Sequence, residues 1–173
     1  KPLQYISEAY KELGDEDKAL EYNQQYMDKN PNAAPTDFMK LAEIYINKAK
    51  KDPAKKVENI DKAIGVYAKL AEKYRTLKPF AKLQEGNSAF QIELDDKAIA
   101  AYTEVINELE AKQCDEDELS YLKTSYQYMG FIYTYDKQDF NTAKPYWDKL
   151  LKLDPQNKLA NDAYEKAGLK PGE

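Results

Sequence analysis

The chain has 173 residues, 33% of them charged, a net charge of −5 and a mean hydropathy of −0.85. That length can bury one hydrophobic core, but no apolar run approaches the roughly 20 residues that span a bilayer, and no concentrated basic face offers a nucleic-acid footprint. Histidine is absent and Cys114 is the single cysteine, which removes the commonest general base and metal ligand, every histidine-dependent nucleophile pair and any internal disulfide.

The first predicted helix covers LQYISEAY (3–10), with small Ser7 followed three residues later by Tyr10. A polar turn, GDED, leads to a second helix in which Ala19 precedes Tyr22, Tyr26 and Met27 before Pro31. The same frame returns in FMKLAEIY (38–45), with Ala42 and Tyr45, and after Ala63, with Tyr67, Leu70 and Ala71. Spacings of three and four put each set on one helical stripe. Between these two segments lies KAKKDPAKKVE (48–58), where five lysines meet Asp52 and Glu58. It reads as a solvated helix–loop–helix corner rather than a phosphate site.

The third occurrence is the weakest. KLQEGNSA (82–89) carries Gly86 and Ala89, but Lys82 and Glu85 stand where bulky residues are expected; its partner segment has Ala98 with Tyr102, Val105 and Ile106. Asp115 and Glu118, within EAKQCDEDELS (110–120), are spaced as a capping box for the next helix. The four carboxylates there lack the glycine and alternation of a calcium loop. YQYMGFIY (126–133) supplies Gly130 and Tyr133, and Ala143 is followed by Trp147, Leu150 and Leu151, then Pro155. Pro145 is expected in the first turn of a helix starting near Asn141 or Thr142, where a missing N–H costs little. NKLANDAYEKAG (157–168) reads as a last helix ending at Gly168.

Aromatic residues, a small residue, Tyr, then Ala, aromatic and Pro make a pattern that resembles the tetratricopeptide repeat. The equivalent alanines are 44, 35 and 45 residues apart, against about 34 in the family. Both helices around the Lys-rich corner are therefore expected to be longer than usual. The resemblance implies an all-α, right-handed superhelical solenoid of antiparallel helix pairs. Four repeats (1–31, 35–75, 78–112 and 116–155) and a capping helix (157–168) would form one domain, 1–173. In this frame Ser7 faces Ala19, Ala42 faces Ala63, Gly86 faces Ala98 and Gly130 faces Ala143, while Tyr10, Tyr45, Tyr67, Tyr102 and Tyr133 fill the gaps between pairs. The pattern begins at the first residues, which points to the C-terminal part of a longer bacterial array.

The functional expectation is a protein–protein interaction module or scaffold, not an enzyme, with no cofactor or metal. In arrays that resemble this one the first helix of each pair lines a concave groove. That register selects Gln4, Tyr5, Glu8, Lys11 and Glu12; Met39, Lys40, Glu43 and Asn47; Gln84, Asn87, Phe90 and Gln91; and Gln127, Tyr128, Phe131 and Tyr135. The groove should be acidic and polar at its start and aromatic towards its end, suiting a protein or peptide with a basic part and an apolar part. Glu8 and Glu43 stand where the family's carboxylate clamp places asparagine, and Arg75 ends a second helix, so the resemblance does not extend to that clamp.

Two other readings stand beside this one: a glycan-binding helical protein of the cell envelope, and an architectural module that self-associates into a homo-oligomer. Phe90, Tyr128, Phe131 and Tyr135 have an alternative role, packing on one another or on the capping helix. The Lys48–Glu58 extension is the alternative contact surface. Neither nucleic acid nor membrane insertion is expected. The Lys/Asn/Tyr-rich composition leans towards a bacterial periplasmic or cell-envelope protein, with the cytoplasm left open.

Overall fold

A computed structural model describes residues 2–172, which fall into two compact units divided between Leu94 and Asp95. The division lies inside the third expected repeat. Among the described residues all regular structure is helical, as the sequence pattern predicts.

The first unit holds α1 (Pro2–Glu12), α2 (Glu16–Lys29), α3 (Pro35–Lys51), α4 (Lys56–Lys73) and α5 (Lys78–Phe90). Gly14, at φ 75°, reverses the chain after α1, and the amides of Gly14 and Asp15 donate to the carbonyls of Lys11 and Tyr10. Glycine adopts that left-handed conformation without the steric cost other residues meet. Asp15 then caps α2 by accepting the Lys18 N–H. So short a turn between packed helices makes α1 and α2 an antiparallel pair. Its close contact is visible in Ser7, whose hydroxyl donates to the Ala19 carbonyl at 2.7 Å.

In the next pair Ala42 and Ala63 are both fully buried. Its helices are long, at 17 and 18 residues, and meet through one 3₁₀ turn, Pro53–Lys55, in the lysine corner. Phe38, Leu41, Val66, Tyr67, Leu70 and Ala81 form the core of this region. The Tyr74 hydroxyl donates to the Ala33 carbonyl at 2.7 Å, which ties the end of α4 to the turn before α3. In α5 the charged pair Lys82–Glu85 closes at 3.0 Å with both side chains largely buried. Their i,i+3 spacing lets two charges satisfy each other where the repeat expects apolar bulk.

The second unit holds α6 (Asp95–Glu110), α7 (Glu116–Phe131), α8 (Phe140–Leu153) and α9 (Lys158–Lys166). The Asp115–Glu118 capping box forms as the spacing predicts, with Asp115 accepting the Glu118 N–H at 2.8 Å and Glu118 accepting the Asp115 N–H at 3.3 Å. Beyond α7 the chain widens into one π turn, Ile132–Asp136, closed by the Lys137 N–H on the Ile132 carbonyl. This turn presents Thr134 to Trp147, whose indole N–H donates to the threonine hydroxyl at 2.9 Å.

One expectation is extended here and one corrected. A methyl group on Gly130 would lie 2.6 Å from Cδ2 and Cε2 of Trp147, so the glycine makes room for the indole one turn beyond Ala143. Pro145 is the sixth residue of α8, not a first-turn residue, because Asp139 caps the helix by accepting the Thr142 N–H. The bond to the Asn141 carbonyl is lost, but Pro145 and Asn141 are both exposed, so water can replace it.

α9 packs on α7 and α8. Asn157 caps it through the Ala160 N–H. Tyr164 is fully buried, edge-on to Phe140 at 5.4 Å, with its hydroxyl donating to Asp148.

Candidate functional site

Between α1 and α3 lies a cavity of about 360 Å³, lined by Gln4, Ser7, Glu8, Lys11 and Glu12 of α1, Asn23 of α2, and Lys40, Glu43 and Ile44 of α3. The α1 residues recur at three and four positions and so share one helical face. Two ion pairs connect the helices: Lys40 to Glu8, and Lys11 to Glu43 at 2.5 Å. The hydrogen bond to Glu8 raises the Lys40 ammonium above its ordinary range, with burial opposing it. The expected acidic opening is thereby reduced: Glu8 and Glu43 each meet a lysine from the facing helix, and Glu12 is left as the third carboxylate of the lining.

Asp37, 4% exposed, sets the second pair against the first. Its carboxylate accepts from Gln4 Nε2 at 2.8 Å, from the Tyr26 hydroxyl at 3.0 Å and from the Ala34 N–H at 2.8 Å. Asn30 donates to the Tyr26 hydroxyl in turn. Burial, then the bond to Asp37, pushes the Tyr26 hydroxyl above its usual pKa.

Asn23 is not among the register residues, yet it forms the inner wall. It stands four residues after Ala19, where the other three frames place Tyr67, Tyr102 and Trp147. Those three rings are 6%, 0% and 0% exposed. Asn23 is 3% exposed, and its carbonyl oxygen has no hydrogen-bond partner among the described residues. A small amide thus occupies the position where an aromatic ring would fill space. That substitution in the repeated frame is its signal in the sequence.

The other expected contact residues are placed differently. Tyr5 is 66% exposed on α1. Met39 packs against the Phe38–Leu41–Leu70 core, and Asn87 and Phe90 are half-buried on α5. In the second unit Tyr128 stacks on Tyr102, with centroids 5.4 Å apart and planes 5° apart. Gln127 accepts from Asn157 at 3.4 Å. Phe131 and Tyr135 lie 4.8 Å apart, and Lys166 of α9 sits 4.7 Å from the Tyr135 centroid. These rings are half-buried and engaged with each other and with the last helix.

The lysine corner forms a second cleft of about 550 Å³ with the acidic α1–α2 turn. There Lys48 meets Asp17, Lys51 meets Glu16, and Lys62 meets Glu58. The bond from Lys48 holds the Asp17 carboxyl below its usual range. Among the described residues no group of three or more metal-binding side chains occurs, and no helix is long and apolar enough to cross a membrane.

Residues 3–33, which span α1, α2 and the turn to Ala33, match the family model for the tetratricopeptide repeat. Over those residues the chain is similar to the tetratricopeptide-repeat family. Its helix pairs and all-helical architecture agree with that family. No curated protein matches the chain. Tetratricopeptide repeats in general mediate protein–protein interaction and are typically non-catalytic.

Proposed function

We propose that this repeat protein binds a protein partner and that the α1–α3 cavity takes an extended segment of it. The observation that carries the reading is Asn23. At the frame position where Tyr67, Tyr102 and Trp147 fill the space between helices, Asn23 leaves a cavity of about 360 Å³ and an unpartnered amide oxygen in its wall. A buried acceptor without a donor costs about 1–3 kcal/mol, and a bound segment that displaces the neighbouring side chains far enough to donate to it would offset that. With Glu8 and Glu43 neutralised, affinity rests on amide hydrogen bonds and shape rather than on a basic ligand.

Within this reading Glu8 and Glu43 line the cavity and exposed Tyr5 supplies a ring to the partner. Met39, Asn87 and Phe90 in the first unit, and Gln127, Tyr128, Phe131 and Tyr135 in the second, act by holding their helices in place. The division into repeats 1–31, 35–75, 78–112 and 116–155 with a cap at 157–168 belongs to the same proposal.

The test is to replace Asn23 by Tyr, the residue that the second and third frames carry, and to capture partners from extracts of the source cells with both forms. Asn23→Tyr is expected to stay folded and to lose the partner. A partner retained equally by the folded variant would move the contact surface away from this cavity.

A further inference from the structure

A separate groove of about 460 Å³ runs between α2 and α4, and its lining includes Phe38, Leu41 and Val66 together with Lys62, Lys69 and Lys73. Asp28 is the one carboxylate among its lining residues. In a chain of net charge −5, this is a locally cationic edge around apolar side chains. Lys73 is held by the carbonyls of Pro31 and Ala33 at 2.6 and 3.1 Å, and Lys62 by Glu58 at 2.5 Å. Lys69 is exposed and has no partner among the described residues.

Gly65 also lines this groove, in the middle of α4. Glycine is disfavoured in a helix interior, so its use there calls for a steric reason. The fold supplies none, because a Cβ at 65 would meet nothing within 4 Å. Ala68, almost one turn on, is exposed as well. The two make a bare strip on α4 over which another backbone can pass closely.

We propose that this groove docks an amphipathic helix of a partner protein. Its apolar stripe would enter over the half-buried Met27 and Tyr45, beside the buried Phe38, Leu41 and Val66, its backbone would cross at Gly65 and Ala68, and a flanking carboxylate would meet Lys69. Helix-in-groove docking reads such a surface through anchors at i, i+3, i+4 and i+7. The charge of the rim selects an acidic helix. This surface is independent of the α1–α3 cavity.

The test uses the whole chain and a phage-displayed library of random 16-residue peptides, followed by fluorescence-anisotropy titration of the enriched sequences. The expected result is enrichment of net-acidic peptides with apolar residues at helical spacing. Their Kd should rise at least tenfold with Gly65→Leu and about threefold or more with Lys69→Glu, but stay unchanged with Lys40→Glu in the other cavity. Gly65→Leu adds a better helix former in open space, so unchanged or raised thermal stability would confirm that the binding loss is not unfolding. Absence of enrichment, enrichment of basic peptides, or affinities indifferent to Gly65→Leu and Lys69→Glu would overturn the proposal. So would sedimentation showing that the chain self-associates and that Gly65→Leu abolishes it, since the occupant would then be a second copy.

Discussion

Asn23 and Trp147 hold the same place in their frames, four residues after Ala19 and Ala143, and they do opposite things. Trp147 is fully buried, presses on the bare backbone of Gly130 and donates to Thr134. Asn23 fills little, leaves a cavity beside it and keeps an oxygen without a partner. One scaffold position therefore closes the interior of one helix pair and opens that of another. The lesson is that in a repeat the informative residue is the one that departs from its own copies.

The contrast can be broken hardest at Trp147. Trp147→Ala should cost about 3–5 kcal/mol, since it empties a fully buried site, and urea unfolding of the whole chain should show the loss in residues 95–172. Gly130→Ala is expected to cost about 1–3 kcal/mol, because its methyl would overlap an indole that cannot withdraw. The combination Gly130→Ala with Trp147→Leu should recover part of that loss if the clash is the cause. A Gly130→Ala variant as stable as the parent would refute the contact.

Alkaline pH sharpens the same comparison. Burial first, then hydrogen bonds to Glu110 and Asp148, pushes the Tyr126 and Tyr164 hydroxyls well above their ordinary pKa, and burial does the same to Tyr102. These groups have a folded pKa above the unfolded value of about 10. Their contribution is complete below that pH and is lost as pH rises beyond it. Hydrogen exchange should therefore show residues 95–172 opening above about pH 10 as phenolate absorbance appears; ionisation of these tyrosines without opening would contradict the buried placement.

Smaller effects are expected in the first unit. Asn23→Leu should leave stability unchanged or raise it by up to about 1 kcal/mol, since it removes a buried acceptor with no partner. Lys40→Ala should cost less than about 1 kcal/mol, because its pair with Glu8 is partly exposed, and the cost should shrink further in high salt. Thermal melts at two ionic strengths check both.

Much of the helical plan was legible in the sequence for a local reason. Caps such as Asp115–Glu118, the stop at Gly168 and the stripes after each alanine depend on neighbours a few residues away, and the helix bounds follow them. The long helices around the lysine corner followed from the 44-residue spacing of Ala19 and Ala63 in the same way. Pro145 escaped because one residue, Asp139, moved the start of α8 upstream by capping at Thr142. The charge of the α1–α3 wall was overread because Glu8 and Glu43 meet Lys40 and Lys11, residues 32 positions away, which leaves Glu12 as the excess carboxylate. In the second unit the register selected Tyr128, Phe131 and Tyr135 but could not show their ring partners, which sit on α6 and α9 or one turn along.

By itself, then, the sequence determined that this chain folds as a succession of paired helices, because helix periodicity, small contact residues and caps act over short range. Only the tertiary structure decided which charges cancel, which rings are already occupied and where a cavity opens, because each of those depends on side chains that folding brings together from distant helices.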